Sequence, residues 1–214
     1  METIIVLALT ISTFATLCGV FAKTTRQIIR LLSFQAAALG FVELIFCLIN
    51  LIVGLGFEAL IDFFTTFAEW FSSAVISPLI IYWGMVKTED VCDDRVINIQ
   101  RGGILLTIIV LSNIILCILT EYFLPAKIGS LPFVALMFSL SIFIIATRVD
   151  PLKILVGLNM AENSLYPLFA ESPLVLIPFM LALMIFVNII SVFIIVEAYR
   201  DYGFMSIKKW RQMD

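Results

Sequence analysis

The chain is a succession of long apolar runs separated by short polar breaks. A membrane-crossing helix needs about 20 mostly apolar residues, and the runs at 3–22, 29–53, 66–86, 103–121, 131–147, 152–170 and 173–198 have that character. The pattern predicts an all-α polytopic membrane protein with seven transmembrane helices, a single integral membrane domain over residues 1–214. No basic start and small-residue cleavage site flank the first run, so Met1–Val20 is expected to stay as a span rather than leave as a signal peptide.

The polar breaks orient the spans. Lys23, Arg26 and Arg30 follow the first, Lys87, Arg95 and Arg101 the third, Arg148 and Lys153 separate the fifth from the sixth, and Arg200, Lys208, Lys209 and Arg211 follow the seventh. Twelve of the 13 basic residues therefore share one side and Lys127 alone takes the other. The excess of basic residues in cytoplasmic loops puts the N-terminus outside and the C-terminus in the cytoplasm. Residues 3–86 and 131–198 also read as two parallel three-helix units joined by a linker helix at 103–121, a three-plus-one-plus-three repeat used by some small sugar carriers. In that alignment Gln35 is set against Asn159.

Composition agrees with the pattern: 62% of residues are hydrophobic, 14% are charged, and the mean hydropathy is +1.14. With no histidine and no glycine-rich phosphate loop, the usual triad base, haem ligand and nucleotide cradle are missing. Cys18, Cys47, Cys92 and Cys117 fit neither zinc nor iron–sulfur spacing and are expected as unpaired packing residues. A net charge of −3 with loop-bound basic residues excludes nucleic acid as a partner. The loop Lys87–Arg101 mixes acids and bases without the mid-loop glycine of a calcium site. Between the second and third spans, Glu58, Asp62 and Glu69 recur on one helical face among phenylalanines. That stretch fits an amphipathic turn at the outer interface, or else the acidic mouth of an ion pathway.

Candidate chemistry lies in polar side chains inside the spans. Asn159, Glu162, Asn163 and Tyr166 stand at i, i+3, i+4 and i+7 of the sixth span, on one face of a helix. A carboxylate at bilayer depth costs roughly 2.5–3.5 kcal/mol on insertion scales and marks a proton or ion pathway by default. The competing role is interhelical glue, worth about 0.6–2 kcal/mol per hydrogen bond, which needs no ionisable group. Glu162 is the first proton-relay candidate, with Asn159, Asn163 and Tyr166 as its polar shell. Glu43, sharing a face with Asn50 in the second span, is the second. Ser72, Ser73 and Ser77 ahead of Pro78 are expected to permit close helix approach or to rescue the backbone bond that proline removes.

The segment GLNMAENSLYPL, residues 157–168, resembles the G-x-x-x-x-E-N-G stretch of component E of hydrogenase-4 and formate hydrogenlyase membrane arms. That family is related to the NuoK subunit of complex I and the C subunit of Mrp-type antiporters. SAVISPLIIYW in the third span and Arg148 ahead of the sixth also resemble it. The resemblance implies a non-catalytic subunit of an energy-converting hydrogenase, coupling redox chemistry to proton or sodium translocation in the cell membrane of a prokaryote. The residues 131–198 would be its NuoK-like unit and Glu162 the motif's acid. It further implies no cofactor in this chain, nickel-iron and iron–sulfur centres in partner subunits, and as partners antiporter-like subunits and a hydrogenase module, with Arg148 and Lys153 as loop contacts. Ser164 stands where the motif has glycine, and the last span carries no second interior acid. Outside that resemblance, a stand-alone small-solute carrier or a structural spacer subunit fits the same pattern of spans.

Overall fold

The computed structural model describes residues 2–54, 57–88, 99–123, 131–169 and 176–204, and it is all-helical. Helices α1 (Glu2–Phe21), α2 (Thr25–Ile52), α3 (Phe57–Phe71), α4 (Ser77–Thr88), α5 (Ile99–Phe123), α6 (Leu131–Thr147), α7 (Pro151–Phe169) and α8 (Leu176–Tyr202) follow in order. Among the described residues two segments are long and apolar enough to cross a membrane by length and composition, Ile4–Phe21 in α1 and Leu181–Tyr202 in α8. Most of the acid and base loop, residues 89–98, lies outside the described residues, as do the side chains of Glu43, Asn50, Glu58, Asp62 and Tyr166.

Local chemistry sets the helix ends. Thr24 Oγ1 accepts from the Gln27 amide at 3.2 Å, and Gln27 Oε1 accepts from the amides of Lys23 and Thr24 at 3.1 and 3.4 Å. This reciprocal T-x-x-Q box satisfies backbone donors that the first turn of α2 leaves open. Asp150 does the same for α7, accepting from the Leu152 amide at 2.9 Å, with Pro151 at the first helical position where a missing N–H costs nothing.

The stretch expected as an amphipathic turn at the outer interface, or else the acidic mouth of an ion pathway, is the start of a longer helix. Nothing between Phe57 and Ser77 breaks the backbone, so α3 runs into a π-helical turn, Ser72–Ile76, and on into α4. Pro78 explains the turn: its ring clashes with the carbonyl four residues back and it donates no N–H. The chain widens its winding there, with the Ser77 amide donating to the Ser72 carbonyl five residues back. Rescue by serine hydroxyls is not what happens, because Ser72 Oγ and Ser77 Oγ are buried without a hydrogen-bond partner.

The α1–α2 hairpin lies alongside the α6–α7 hairpin, with α1 against α6, α2 against α7, and α4 against α8. Each helix of the first triplet thus packs on its counterpart in the second. Their shared core includes Ile28 and Leu32 of α2, Ile81 and Met85 of α4, Ile144 of α6, Leu152, Val156 and Met160 of α7, and Val192 of α8. Gly157 lets α7 approach α6 closely, since a Cβ there would lie 2.9 Å from Ile145 Cγ1 and 3.3 Å from the Ile145 backbone nitrogen. Helix α5 packs chiefly on α6 and leaves Ile104, Ile108, Ile115 and Ile118 exposed.

Candidate functional site

Helix α7 distributes its polar residues among different neighbours. Asn159 Nδ2 donates to Asn188 Oδ1 at 2.8 Å, and Asn188 Nδ2 returns a bond to Asn159 Oδ1 at 2.8 Å. A further bond runs from Asn159 Nδ2 to the Leu155 carbonyl at 2.9 Å. Both amides are buried, so this pair is a clamp between α7 and α8 rather than a shell for the acid. In the sequence Asn188 reads as a packing or interface residue of the last span. Its partnership was hidden because two residues 29 positions apart meet only through the hairpin.

Glu162 stands eleven residues beyond Pro151, about 16 Å along the axis at 1.5 Å per residue. Its side chain is partly buried at the edge of the packed face, next to the exposed Leu158. Among the described residues no cation or hydrogen-bond donor stands against its carboxylate. Tyr166, the outermost member of the expected shell, has its backbone on α7 while its side chain lies outside the described ones. Glu43 likewise sits on α2, and its side chain belongs to the same group.

Asn163 faces the other way, into a crevice bounded by Ala36, Leu39 and Gly40 of α2, Glu69 and Trp70 of α3, and Ser73 of the π-helical turn. Gly40 allows the indole to lie against α2, since a Cβ there would come within 2.6 Å of Trp70 Cδ1. Trp70 Nε1 donates to the Ala37 carbonyl at 3.3 Å and fixes the wall. The open volume is about 10 Å³, which is room for one water. Nearby, Gln35 Nε2 donates to Thr16 Oγ1 at 2.8 Å and to the Met160 carbonyl at 3.3 Å. The repeat alignment that sets Gln35 against Asn159 thus brings Gln35 within one residue of it across α2 and α7.

Arg148 and Lys153 are turned inward. Arg148 is 4% exposed and donates through one terminal nitrogen to the carbonyls of Gly19, Val20 and Ala22 at 3.3, 2.9 and 2.6 Å. Those carbonyls stand at the C-terminal end of α1 and just past it, where a cation meets the negative end of the helix dipole. Lys153 is 0% exposed; its Nζ donates to the Lys23 carbonyl at 2.9 Å and lies 3.9 Å from Asp150 Oδ2. Thr25 Oγ1 donates to the same Asp150 oxygen at 2.9 Å. These groups lock the α1–α2 turn to the α6–α7 turn, so both expected loop contacts are turned inward within the chain. The signal was present in R-V-D-P-L-K, whose Asp-Pro step marks a helix start and whose Asp and Lys are i,i+3 neighbours.

Cys18 and Cys47 are free thiols, and among the described residues no group of three or more cysteine or acidic side chains could hold a metal ion. Comparison with family models, curated proteins and solved structures found no match.

Proposed function

We propose that the chain is a seven-span, multi-pass subunit in the membrane arm of an ion-translocating complex of the energy-converting hydrogenase kind, in which Glu162 carries a proton at mid-membrane. The observation that carries this reading is the contrast within α7. Asn159 is closed by Asn188, Lys153 by Lys23 and Asp150, and Ser164 Oγ donates to the Ala161 carbonyl at 2.6 Å. Among the described side chains of this helix, Glu162 is the ionisable one that is partly buried with no partner. An acid so placed and serving only as glue would be expected to hold a donor. One that takes a proton from a neighbouring subunit must keep its carboxylate open.

The reading extends to orientation and company. The N-terminus is outside, the C-terminus cytoplasmic in a prokaryotic cell membrane, and the chain performs no redox chemistry. Nickel-iron and iron–sulfur centres belong to docked partners, and antiporter-like subunits flank the Glu162 face. A stand-alone solute carrier fits less well, because it needs a polar pocket between the two triplets. The described interface there is filled by Leu32, Met85, Ile144, Val156 and Met160, and the crevice beside Asn163 leaves only about 10 Å³, too little for a solute larger than water.

Purification from native membranes in mild detergent, followed by identification of co-purifying chains, tests the proposal. Antiporter-like subunits and a nickel hydrogenase subunit in fixed ratio are expected. A lone monomer or homodimer contradicts it.

A further inference from the structure

The open face of α2 changes character along its length. Arg26, Arg30, Phe34 and Phe41 stand at i, i+4, i+8 and i+15, on one side of the helix, and all four are exposed. Two guanidinium groups near the helix start therefore give way, within about 6 Å of axis, to a stripe of rings. Depth places this change at a membrane boundary. Helices α2 and α4 bring Ile28, Leu32, Ile81 and Met85 into one core, so the start of α2 and the end of α4 lie at one level. Arg30 is five residues inside the start of α2 at Thr25, and the exposed Trp83 is five residues inside the end of α4 at Thr88, next to the exposed Tyr82. Tyrosine and tryptophan at a helix end mark the headgroup layer.

Charge at this end of the molecule is one-sided. The turns 23–30 and 148–153 carry five basic residues and one acid, Asp150. Asp150 is buried against Thr25 and Lys153. Lys23, Arg26 and Arg30 are exposed, and among the described residues none of the three lies within ion-pair distance of a carboxylate. Arg200, at the end of α8, by contrast lies 3.9 Å from Glu197.

We propose that this face of α2 binds an anionic phospholipid, its phosphate held by Arg26 and Arg30 with Lys23 beside them and its acyl chains lying along Phe34 and Phe41. The planar fork of arginine matches two phosphate oxygens at once, and each basic residue near an anionic lipid surface is worth about fivefold in binding. A headgroup that also bears an ammonium brings its own cation against the cluster and is disfavoured. A free phosphate meets the guanidinium groups and leaves the rings uncovered. The proposal rests on the membrane placement of α2 and is independent of Glu162 as a proton carrier.

Native mass spectrometry of the purified protein, with dioleoyl-phosphatidylglycerol, dioleoyl-phosphatidylethanolamine or inorganic phosphate added, reads the site. Wild type is expected to retain one phosphatidylglycerol severalfold better than phosphatidylethanolamine, and excess inorganic phosphate is expected not to displace it. Retention is expected to fall severalfold in Arg26→Gln/Arg30→Gln and to match wild type in Lys208→Gln/Lys209→Gln, which removes the same charge from the C-terminal segment. Equal loss in both double variants, no loss in the first, or displacement by inorganic phosphate overturns the lipid site. The photo-crosslinker benzoylphenylalanine in place of Phe41, irradiated in native membranes, separates the occupants. Capture of phospholipid is expected, and capture of a protein chain overturns the proposal. Lipid capture without headgroup selectivity overturns the site and leaves α2 in the bilayer, whereas capture of neither removes the membrane placement of α2 as well.

Discussion

At the scale of single residues, buried polar groups in this chain divide into closed pairs and open ones. The Asn159–Asn188 clamp is closed: two reciprocal bonds of 2.8 Å satisfy both amides on their shared edge. Asn159→Leu alone strands the Asn188 amide and is expected to cost about 1–3 kcal/mol, whereas the double variant Asn159→Leu/Asn188→Leu recovers most of that loss. A double-mutant cycle on detergent unfolding reads the coupling directly, and additive single effects contradict the clamp. Sequence set Asn159, Glu162 and Asn163 close together on one helix, because the period of the helix is a local property. It could not apportion them. Which neighbour each side chain meets depends on helix crossings, and those send Asn159 to α8 and Asn163 to α2 and the π-helical turn. The partners of Arg148 and Lys153 are illegible for a related reason: a charge between two apolar runs reads as a loop contact, and only the fold shows which turn supplies the carbonyls it meets. Here the end of α1 supplies three to Arg148.

At the scale of elements, apolar run length located the helical stretches well, since one property of composition fixes each of them. The starts were less legible. α7 begins at Pro151 behind an Asp150 cap and α3 at Phe57, both signalled by local chemistry that run length ignores. The π-helical turn follows from Pro78 only when the helix continues through it. Contact between elements depends on small residues. Gly157→Val puts carbon atoms where Ile144 and Ile145 already stand, with backbone at 3.3 Å that cannot rotate away. Overpacking of this kind costs about 1–3 kcal/mol, so the apparent melting temperature in detergent is expected to fall. A melting temperature equal to wild type would mean that α6 and α7 lie farther apart.

At the scale of the whole molecule, the hairpins stand side by side, α1 on α6 and α2 on α7, and the third helices meet at α4 and α8. The topology proposed for them is checked by thiol labelling with an impermeant reagent. With the other three cysteines replaced by serine, native Cys92 is expected to react only from the cytoplasmic side, and a cysteine in the Gly129→Cys variant only from outside. Reaction of both from one side contradicts a span between them. The exposed apolar flanks of α5 and α8, including Ile108, Ile115, Phe186 and Phe193, suit lipid or neighbouring subunits, and Glu162 sits at the margin of the packed interior. The measurement that bears most directly on its role is the number of ions translocated per electron pair by the assembled complex carrying Glu162→Gln. The ratio is expected to fall severalfold while redox turnover with an artificial acceptor persists; a ratio equal to wild type would contradict the assignment of Glu162 as a proton carrier.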